Sequence, residues 1–377
     1  MGRIESVINE VRGLTHETPF FYTSRDILEE NFFSFCGLFA HCEVYYAVKA
    51  NSEPSILSFL DRLGCGFEAA SGYEISILQS VGVAADKIIY GTSVKPIAHI
   101  REAFALGIDR FAADSKEEIE KIAEAAPGSR VFVRAVVDDS GSVFTMSERF
   151  GAPPSSVKHL VLHIQRLGLV PYGISFYVGS QATDGSKWAK GVYTIKPVIE
   201  ELADEGVRLE TVNIGGGFPA LYENHPEAPR IGEIVEFTRD ALASLPYSAR
   251  VIMEPGRAIV ATSTVLVSQV ISRSDRAGSP WLCLDAGIYN ALYEAMVHQG
   301  ATRYRIHALD APEHEIETES FTLAGPTGDS LDVIARNARL PSCTGTGDRL
   351  AFENAGAYTI AMASRFNGFP PPQLYLD

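Results

Sequence analysis

The chain has 377 residues, 46% of them hydrophobic and 21% charged, with 32 Lys and Arg against 47 Asp and Glu. The formal net charge of −15 at pH 7 repels phosphate backbones and no basic stripe offsets it, so nucleic acid is not expected as a partner. No apolar run reaches the roughly 20 residues of a membrane span, and five cysteines without paired or metal-like spacing suit a reducing cytoplasm, with no structural metal expected.

In chain order, the opening MGRIESVINE is amphipathic and lacks the apolar centre of a signal peptide. Gly2 and Ser6 fit the myristoylation spacing, a short pattern that chance supplies readily. A chain of this length is expected to build more than one core. Over residues 24–260, short apolar runs alternate with longer segments of helical period. The runs are Val44–Val48, Gly66–Ala70, Ile88–Tyr90, Arg110–Ala113, Val131–Val137, Gly173–Val178, Thr211–Ile214 and Val251–Met253. Short, Val/Ile/Phe/Tyr-rich and without polar alternation, they read as strands buried on both faces. Ser71–Ser80 and Ser115–Ala126 read as helices between them, the second with a Ser cap and acids in its first turn. Eight such strand-plus-helix units predict a (β/α)8 TIM-like barrel. An open doubly wound sheet is the alternative, but no GxGxxG follows a first strand. After Ala261 the texture changes: STVLVSQVISR, WLCLDAG, FTLAGP and DRLAFENAGAY are strand-like, with Gly, Pro and Asp between them. A second, β-rich domain (barrel or sandwich) is therefore expected over 261–377, joined by residues 1–23, with the barrel at 24–260.

Barrel enzymes carry their chemistry at the C-terminal ends of the strands. The first strand runs into YYAVKAN, which puts Lys49 at the mouth. Such a lysine can be an ordinary solvated residue; buried, it can lose its proton and form a Schiff base. Gly215, Gly216 and Gly217, in GGGFP, follow another strand and could let backbone amides crowd an anion, or simply form a flexible turn. The last strand ends in EPGR, with Glu254 and Arg257 close in sequence. They could form a plain salt bridge, or hold a cofactor's ring nitrogen and phosphate.

YAVKAN, GISFYVGSQ, GGGFP, EPGR, GPTGDS and GAYT…FNGFP occur in this order, and with them the chain resembles the ornithine/diaminopimelate decarboxylase family, most closely its bacterial ornithine decarboxylases. The resemblance runs from about Thr18 to Pro370. It implies a fold-type III enzyme dependent on pyridoxal 5′-phosphate (PLP), acting on a small amino acid as a homodimer with shared active sites, and polyamine biosynthesis as its setting. Carried over by motif, Lys49 would bear the cofactor and Glu254 would bond its ring nitrogen. Ser180, Gly215, Gly216, Gly217, Arg257 and Tyr358 would surround its phosphate, and Glu68 and Glu74 would lie near its ring and its lysine. Asp329 would come from the partner subunit. The ring withdraws the electron pair that departing CO2 leaves on Cα.

Two positions depart from the family pattern. Its GPTCD cysteine, which the family uses to return a proton to Cα, is Gly328 here, and its ring-stacking histidine is Tyr177, which keeps an aromatic face without the imidazole charge. With that proton donor gone, three outcomes stay open: a decarboxylase that protonates Cα by another group, a decarboxylation-dependent transaminase or oxidative deaminase that yields an aldehyde, and a non-catalytic regulatory homologue. Racemisation, known among fold-type III enzymes, is a remoter fourth. The segment expected to read the distal end of the substrate is DAGIYNALYEAMVHQGATRYR. ALYEA resembles the diaminopimelate branch, without the Arg-Pro that precedes it there, and Val297 or His298 stands near the place of the ornithine enzymes' distal acid. Glu294 could receive a cationic group or be solvated, and Asp332 has no evident role. Together these changes point to a substrate other than plain ornithine, an ornithine-, lysine- or diaminopimelate-like amino acid or a specialised derivative.

Overall fold

All eight apolar runs are strands. In the computed structural model, which describes residues 3–297, 302–312 and 317–377, they span Cys42–Ala47, Gly66–Ala69, Ile88–Tyr90, Arg110–Ala113, Arg130–Ala135, Val170–Phe176, Thr211–Asn213 and Arg250–Met253. Gly2 and His298 lie outside the described residues. The strands are parallel and close into a barrel, the last pairing with the first at Val251↔Cys42 through Met253↔Val44. Tyr45, Ile89, Ala112, Phe132, Tyr172 and Ile252 form one buried cluster within this strand set. The first strand stops one residue short of the expected Val48, because Val48–Ala50 coil into a 3₁₀ turn that carries Lys49.

The helices between the strands follow their caps. Ser71 Oγ accepts from the Glu74 N–H at 3.1 Å to start Gly72–Ser80, and Ser115 Oγ accepts from Glu118 N–H at 3.3 Å to start Lys116–Ala125. Glu118, one of the acids in that first turn, is buried. It pairs with the fully buried Lys95 at 2.9 Å and with Lys121 at 2.6 Å. Lys95 Nζ also donates to the carbonyls of Thr92 (2.8 Å) and Ala112 (2.6 Å), and burial pulls its pKa down to about 8.

The chain divides into two compact units, one of Phe32–Pro219 with Glu227–Gly256, which holds the barrel, and one of Met1–Asn31, Ala220–Pro226 and Arg257–Asp377. The second unit is built on a mixed sheet of Thr264–Arg276, Ser279–Leu284, Ile306–Ala308, Thr318–Ala324, Val333–Pro341 and Arg349–Phe352. Phe20–Thr23 joins it antiparallel to Thr264–Arg276 and parallel to Gln373–Leu376, so the two ends of the chain meet in one sheet. The helix Arg3–Gly13 buries Val7, Ile8 and Val11 against Phe20, Val265 and Val267, which accounts for the amphipathic start. No helix among the described residues is long and apolar enough to cross a membrane.

Removing one member of a buried ion pair strands the other charge. Glu118→Ala is therefore expected to lower stability by about 3 kcal/mol, the low end for such pairs, since Lys95 keeps two carbonyl acceptors. Urea unfolding measures this, and a loss below about 0.5 kcal/mol would mean the pair contributes nothing net.

Candidate active site

Six neighbouring strands of the barrel, in the spatial order Arg130–Ala135, Val170–Phe176, Thr211–Asn213, Arg250–Met253, Cys42–Ala47 and Gly66–Ala69, bear polar or glycine residues at their C-terminal ends. These are Arg134, Tyr177, Gly215 to Gly217, Glu254, Lys49 and Glu68. Residues far apart in sequence thus share one rim, because parallel strands all point their C-terminal ends the same way.

Lys49 donates through Nζ to Glu68 Oε2, a short contact between a side chain 40% exposed and one 5% exposed. Gly91 leaves room for that carboxylate, since a Cβ there would stand 2.4 Å from Glu68 Oε1. Glu74, on the helix that follows, accepts from the Ala70 N–H at 2.7 Å. Burial, with Glu68 adding repulsion, pushes its pKa up to about 7 against the opposing Ala70 bond and Lys49. Glu254 is held by Asn213, whose Nδ2 donates to Oε1 at 2.6 Å. Burial and then Glu68 raise its pKa to about 7, with Lys49, Asn213 and Arg134 pulling the other way. The two carboxyls therefore sit near neutrality.

The Gly215–Gly217 loop is packed too closely for side chains. Cβ atoms would come within 2.1 Å of the Phe176 carbonyl at Gly215, 2.5 Å of the Glu254 carbonyl at Gly216, and 2.3 Å of the Gly179 carbonyl at Gly217. Gly215 and Gly217 also have left-handed φ of +69° and +92°. Asn213 Oδ1 takes the Gly215 N–H at 2.9 Å, whereas the N–H groups of Gly216 and Gly217 find no backbone acceptor among the described residues. Ser180 begins the short strand Ser180–Ala182, paired with Ser142–Phe144. Tyr177 is half-buried with the Arg134 guanidinium 5.6 Å from its ring centroid.

In the second unit, Arg257 is buried and paired bidentately with Glu294, at 2.6 Å and 2.7 Å. Neither member of the EPGR pair bonds the other: Glu254 goes to Asn213 and Arg257 to Glu294. Arg257 Nη1 also donates to Tyr222 Oη at 2.9 Å, and its guanidinium carbon lies 4.7 Å from the Tyr358 ring centroid. Tyr358 holds a left-handed φ of +54°, a strained state for a non-glycine residue. Glu294 is thus buried and engaged, not solvated. Asp329 accepts from the Leu331 N–H (2.9 Å) and the Tyr289 hydroxyl (2.8 Å), bonds that hold its carboxyl below the usual range. Asp332 has a structural place: buried, it takes the N–H groups of Ile288 and Thr327 and the Thr327 hydroxyl, tying the GPT turn to the DAG turn. Gly328 is exposed, has no left-handed φ, and a Cβ on it would meet nothing within 4 Å, so nothing in the backbone requires glycine there.

Residues 25–261 match the family model described as "Pyridoxal-dependent decarboxylase, pyridoxal binding domain". The chain belongs to that family. A lysine/ornithine decarboxylase of Selenomonas ruminantium is 33% identical over 356 residues, covering 93% of this chain and 88% of the relative. Antizyme inhibitor 2 of Xenopus laevis is 31% identical over 378 residues, covering 97% and 82%. Among solved structures, the arginine decarboxylase of Paramecium bursaria Chlorella virus bound to agmatine superposes with a TM-score of 0.90 at 27% identity, covering 99% of this chain and 100% of the other. The protein is a PLP-dependent amino-acid decarboxylase, a carboxy-lyase of the ornithine decarboxylase-like, fold-type III kind.

The barrel rim fits the cofactor of this decarboxylase by chemistry. PLP brings an aldehyde, a phosphate and a basic ring nitrogen; the rim offers an amine at Lys49, amides at Gly216 and Gly217 with no backbone acceptor among the described residues, and a half-buried carboxyl at Glu254. Arg134, Asn213 and Gly91 were not among the residues singled out in the sequence. Their signals were faint: an arginine inside the apolar run VFVRAVV, an Asn closing a strand just before GGG, and a glycine closing the strand beside Glu68.

Glu74 and Glu254 in the cofactor-free protein have folded pKa values near 7 against an ordinary 4.5. The folded state then binds more protons than the unfolded chain between those values, so these groups lower stability as pH rises from about 4.5 to about 7. Cofactor-free Glu74→Gln and Glu254→Gln are expected to gain in melting temperature relative to wild type across that window, by thermal unfolding; a constant difference would contradict the assigned shifts.

Proposed function

We propose that this decarboxylase removes CO2 from a free amino acid with a distal cationic group, of the ornithine, lysine, diaminopimelate or arginine kind or a derivative of one, and releases the amine. The observation that carries the reading is Lys49, at the end of its barrel strand, bonded to the buried Glu68, with Glu254 and the glycine loop on the next two strand ends. Relatives whose names specify lysine, ornithine or arginine support the substrate class, as do solved structures in complex with cadaverine and putrescine.

In this reading Lys49 bears the cofactor, Glu254 faces its ring nitrogen, and Tyr177 supplies an aromatic face. The amides of Gly215 to Gly217 and Ser180 serve the phosphate, and the family motif assigns Arg257 and Tyr358 to the same group. Bound there, PLP supplies an electron sink for the pair left on Cα. Glu68 is placed to take a proton from Lys49 Nζ and to return it. Glu254, poised near pH 7, can exchange a proton with a basic nitrogen at small cost. Asn213 fixes which way the Glu254 carboxyl points. Asp329, kept ionised by Leu331 and Tyr289, is assigned to a cationic group across a homodimer. The half-exposed Leu331 and Phe366 beside it suit a face that a second copy covers. Gly328 offers no proton, so another group protonates Cα.

A non-catalytic reading has one specific support, the 31% identity to a relative named as an inhibitor. Lys49 bonded to Glu68, with Glu254 at the neighbouring strand end, weighs against it.

Purified protein given PLP and L-ornithine, L-lysine, L-arginine or diaminopimelate should accumulate an amine, identified by mass spectrometry, and stay yellow. Borohydride reduction should leave the cofactor's mass on the Lys49 peptide, and Lys49→Ala should lose colour and turnover together. An aldehyde with conversion to pyridoxamine phosphate would replace the proposal by decarboxylation-dependent transamination; a colourless protein that PLP cannot reconstitute would favour the non-catalytic reading. Gly328→Cys should change stability by less than about 0.5 kcal/mol in urea unfolding, because its Cβ enters open space; a larger loss would show that glycine is needed there.

A further inference from the structure

Gly215, Gly216 and Gly217 are joined by two Gly–Gly peptides, and glycine has no Cβ to hold a peptide plane in one orientation. Each plane is pinned instead through its carbonyl. The Glu254 N–H donates to the Gly215 carbonyl at 2.8 Å, and the Trp188 indole donates through Nε1 to the Gly216 carbonyl at 3.2 Å. A trans peptide is planar, and its C=O and the following N–H point in opposite directions. Fixing these two carbonyls therefore fixes the amides of Gly216 and Gly217, the two in the loop with no backbone acceptor among the described residues.

The two pins differ in kind. The bond from Glu254 is backbone to backbone, part of the barrel rim, and no change of side chain removes its donor. The bond from Trp188 comes from a side chain. Trp188 lies in the first turn of the helix Lys187–Asp204 and is fully buried. Its ring stacks on Phe218, with centroids 4.8 Å apart and planes 17° from parallel, and Phe35 packs edge-on against Phe218 at 5.0 Å. Packing thus holds the indole in one pose, and a buried indole N–H has to find an acceptor. The one it takes belongs to the peptide that carries the Gly217 N–H. Without that donor the Gly216 carbonyl would be free to turn, and the Gly217 amide would turn with it.

We propose that Trp188 is a positioning residue for the glycine loop, its indole N–H holding the Gly216–Gly217 peptide so that the Gly217 amide stays turned away from the indole and available to an anion. The inference rests on the reading that this loop serves the cofactor's phosphate. Trp188 then acts on the phosphate end of the cofactor and leaves the aldehyde end, at Lys49, untouched.

The test compares affinity for PLP with affinity for pyridoxal, which carries the same aldehyde without the phosphate, by absorbance titration of cofactor-free, full-length protein. The proteins are wild type, Trp188→Phe, which keeps a ring on Phe218 and removes the N–H, and Trp281→Phe, which changes the other tryptophan of the chain. In Trp188→Phe, PLP affinity should fall about three- to tenfold, the range for one hydrogen bond, while pyridoxal affinity stays within about twofold of wild type. Trp281→Phe should match wild type for both ligands. If Trp188→Phe does not fold, benzothienylalanine at position 188 of the Trp281→Phe chain keeps the bicyclic ring and puts sulfur in place of the N–H. A tryptophan that only fills the core would lower the melting temperature when replaced and leave the preference for PLP over pyridoxal as it was. That result, or an equal fall for both ligands, would overturn the positioning role. A wild-type protein that binds PLP no more tightly than pyridoxal would instead overturn the assignment of the loop to the phosphate.

Discussion

Closure of the parallel barrel is the constraint on which the site depends. Pairing of Arg250–Met253 with Cys42–Ala47 brings residue 254 beside residue 49, some two hundred positions away in the chain. The same ladder continues past the strand ends, where the Ala47 N–H donates to the Pro255 carbonyl and the Glu254 N–H to Gly215. The backbone of the lysine turn, the acid turn and the glycine loop is thereby one hydrogen-bonded rim. Side chains mounted on it need little further ordering, which is what a site that must hold reacting atoms in register requires.

Electrostatics on this rim are set by an excess of carboxyls around one amine. Glu68, Glu74 and Glu254 all interact with Lys49, and a single cation cannot hold one buried and two half-buried carboxylates ionised. Two of them answer by rising toward pH 7, while Glu68 keeps the direct bond to Nζ. Groups poised this way exchange protons near neutral pH. In a protein with an overall charge of −15, such a cluster also gains little from the surrounding field.

The second unit handles its charges differently. Arg257 and Glu294 cancel one another in a desolvated pair, and Asp332 spends its oxygens on three backbone and hydroxyl donors. Asp329 alone of these acids keeps an accessible carboxylate. The difference between a pinned and a presented acid lies in burial and partner count, and neither is visible in a motif. GPTGDSLD contains both kinds within four residues.

The sequence by itself determined the barrel, because strands buried on both faces must be apolar throughout and the intervening helices amphipathic, a pattern that leaves little latitude. It also marked Lys49, the glycine triplet and EPGR, since residues so unusual at strand ends are legible one strand at a time. What only the tertiary structure decided is which of these meet. EPGR reads either as a plain salt bridge or as two separate anchors, and the structure rules out the first: Glu254 bonds Asn213 while Arg257 bonds Glu294, thirty-seven residues further on. Glu118 is legible in the sequence only as an acid in the first turn of a capped helix, and the fold buries it on Lys95. Arg134 and Asn213 looked like parts of strands and stand beside the candidate centre. Hydrophobic period is a local property and survives in the order of the residues. The partner of a charge is settled by whichever opposite charge or dipole the closed fold leaves within about 3 Å, and the order of residues does not contain that distance.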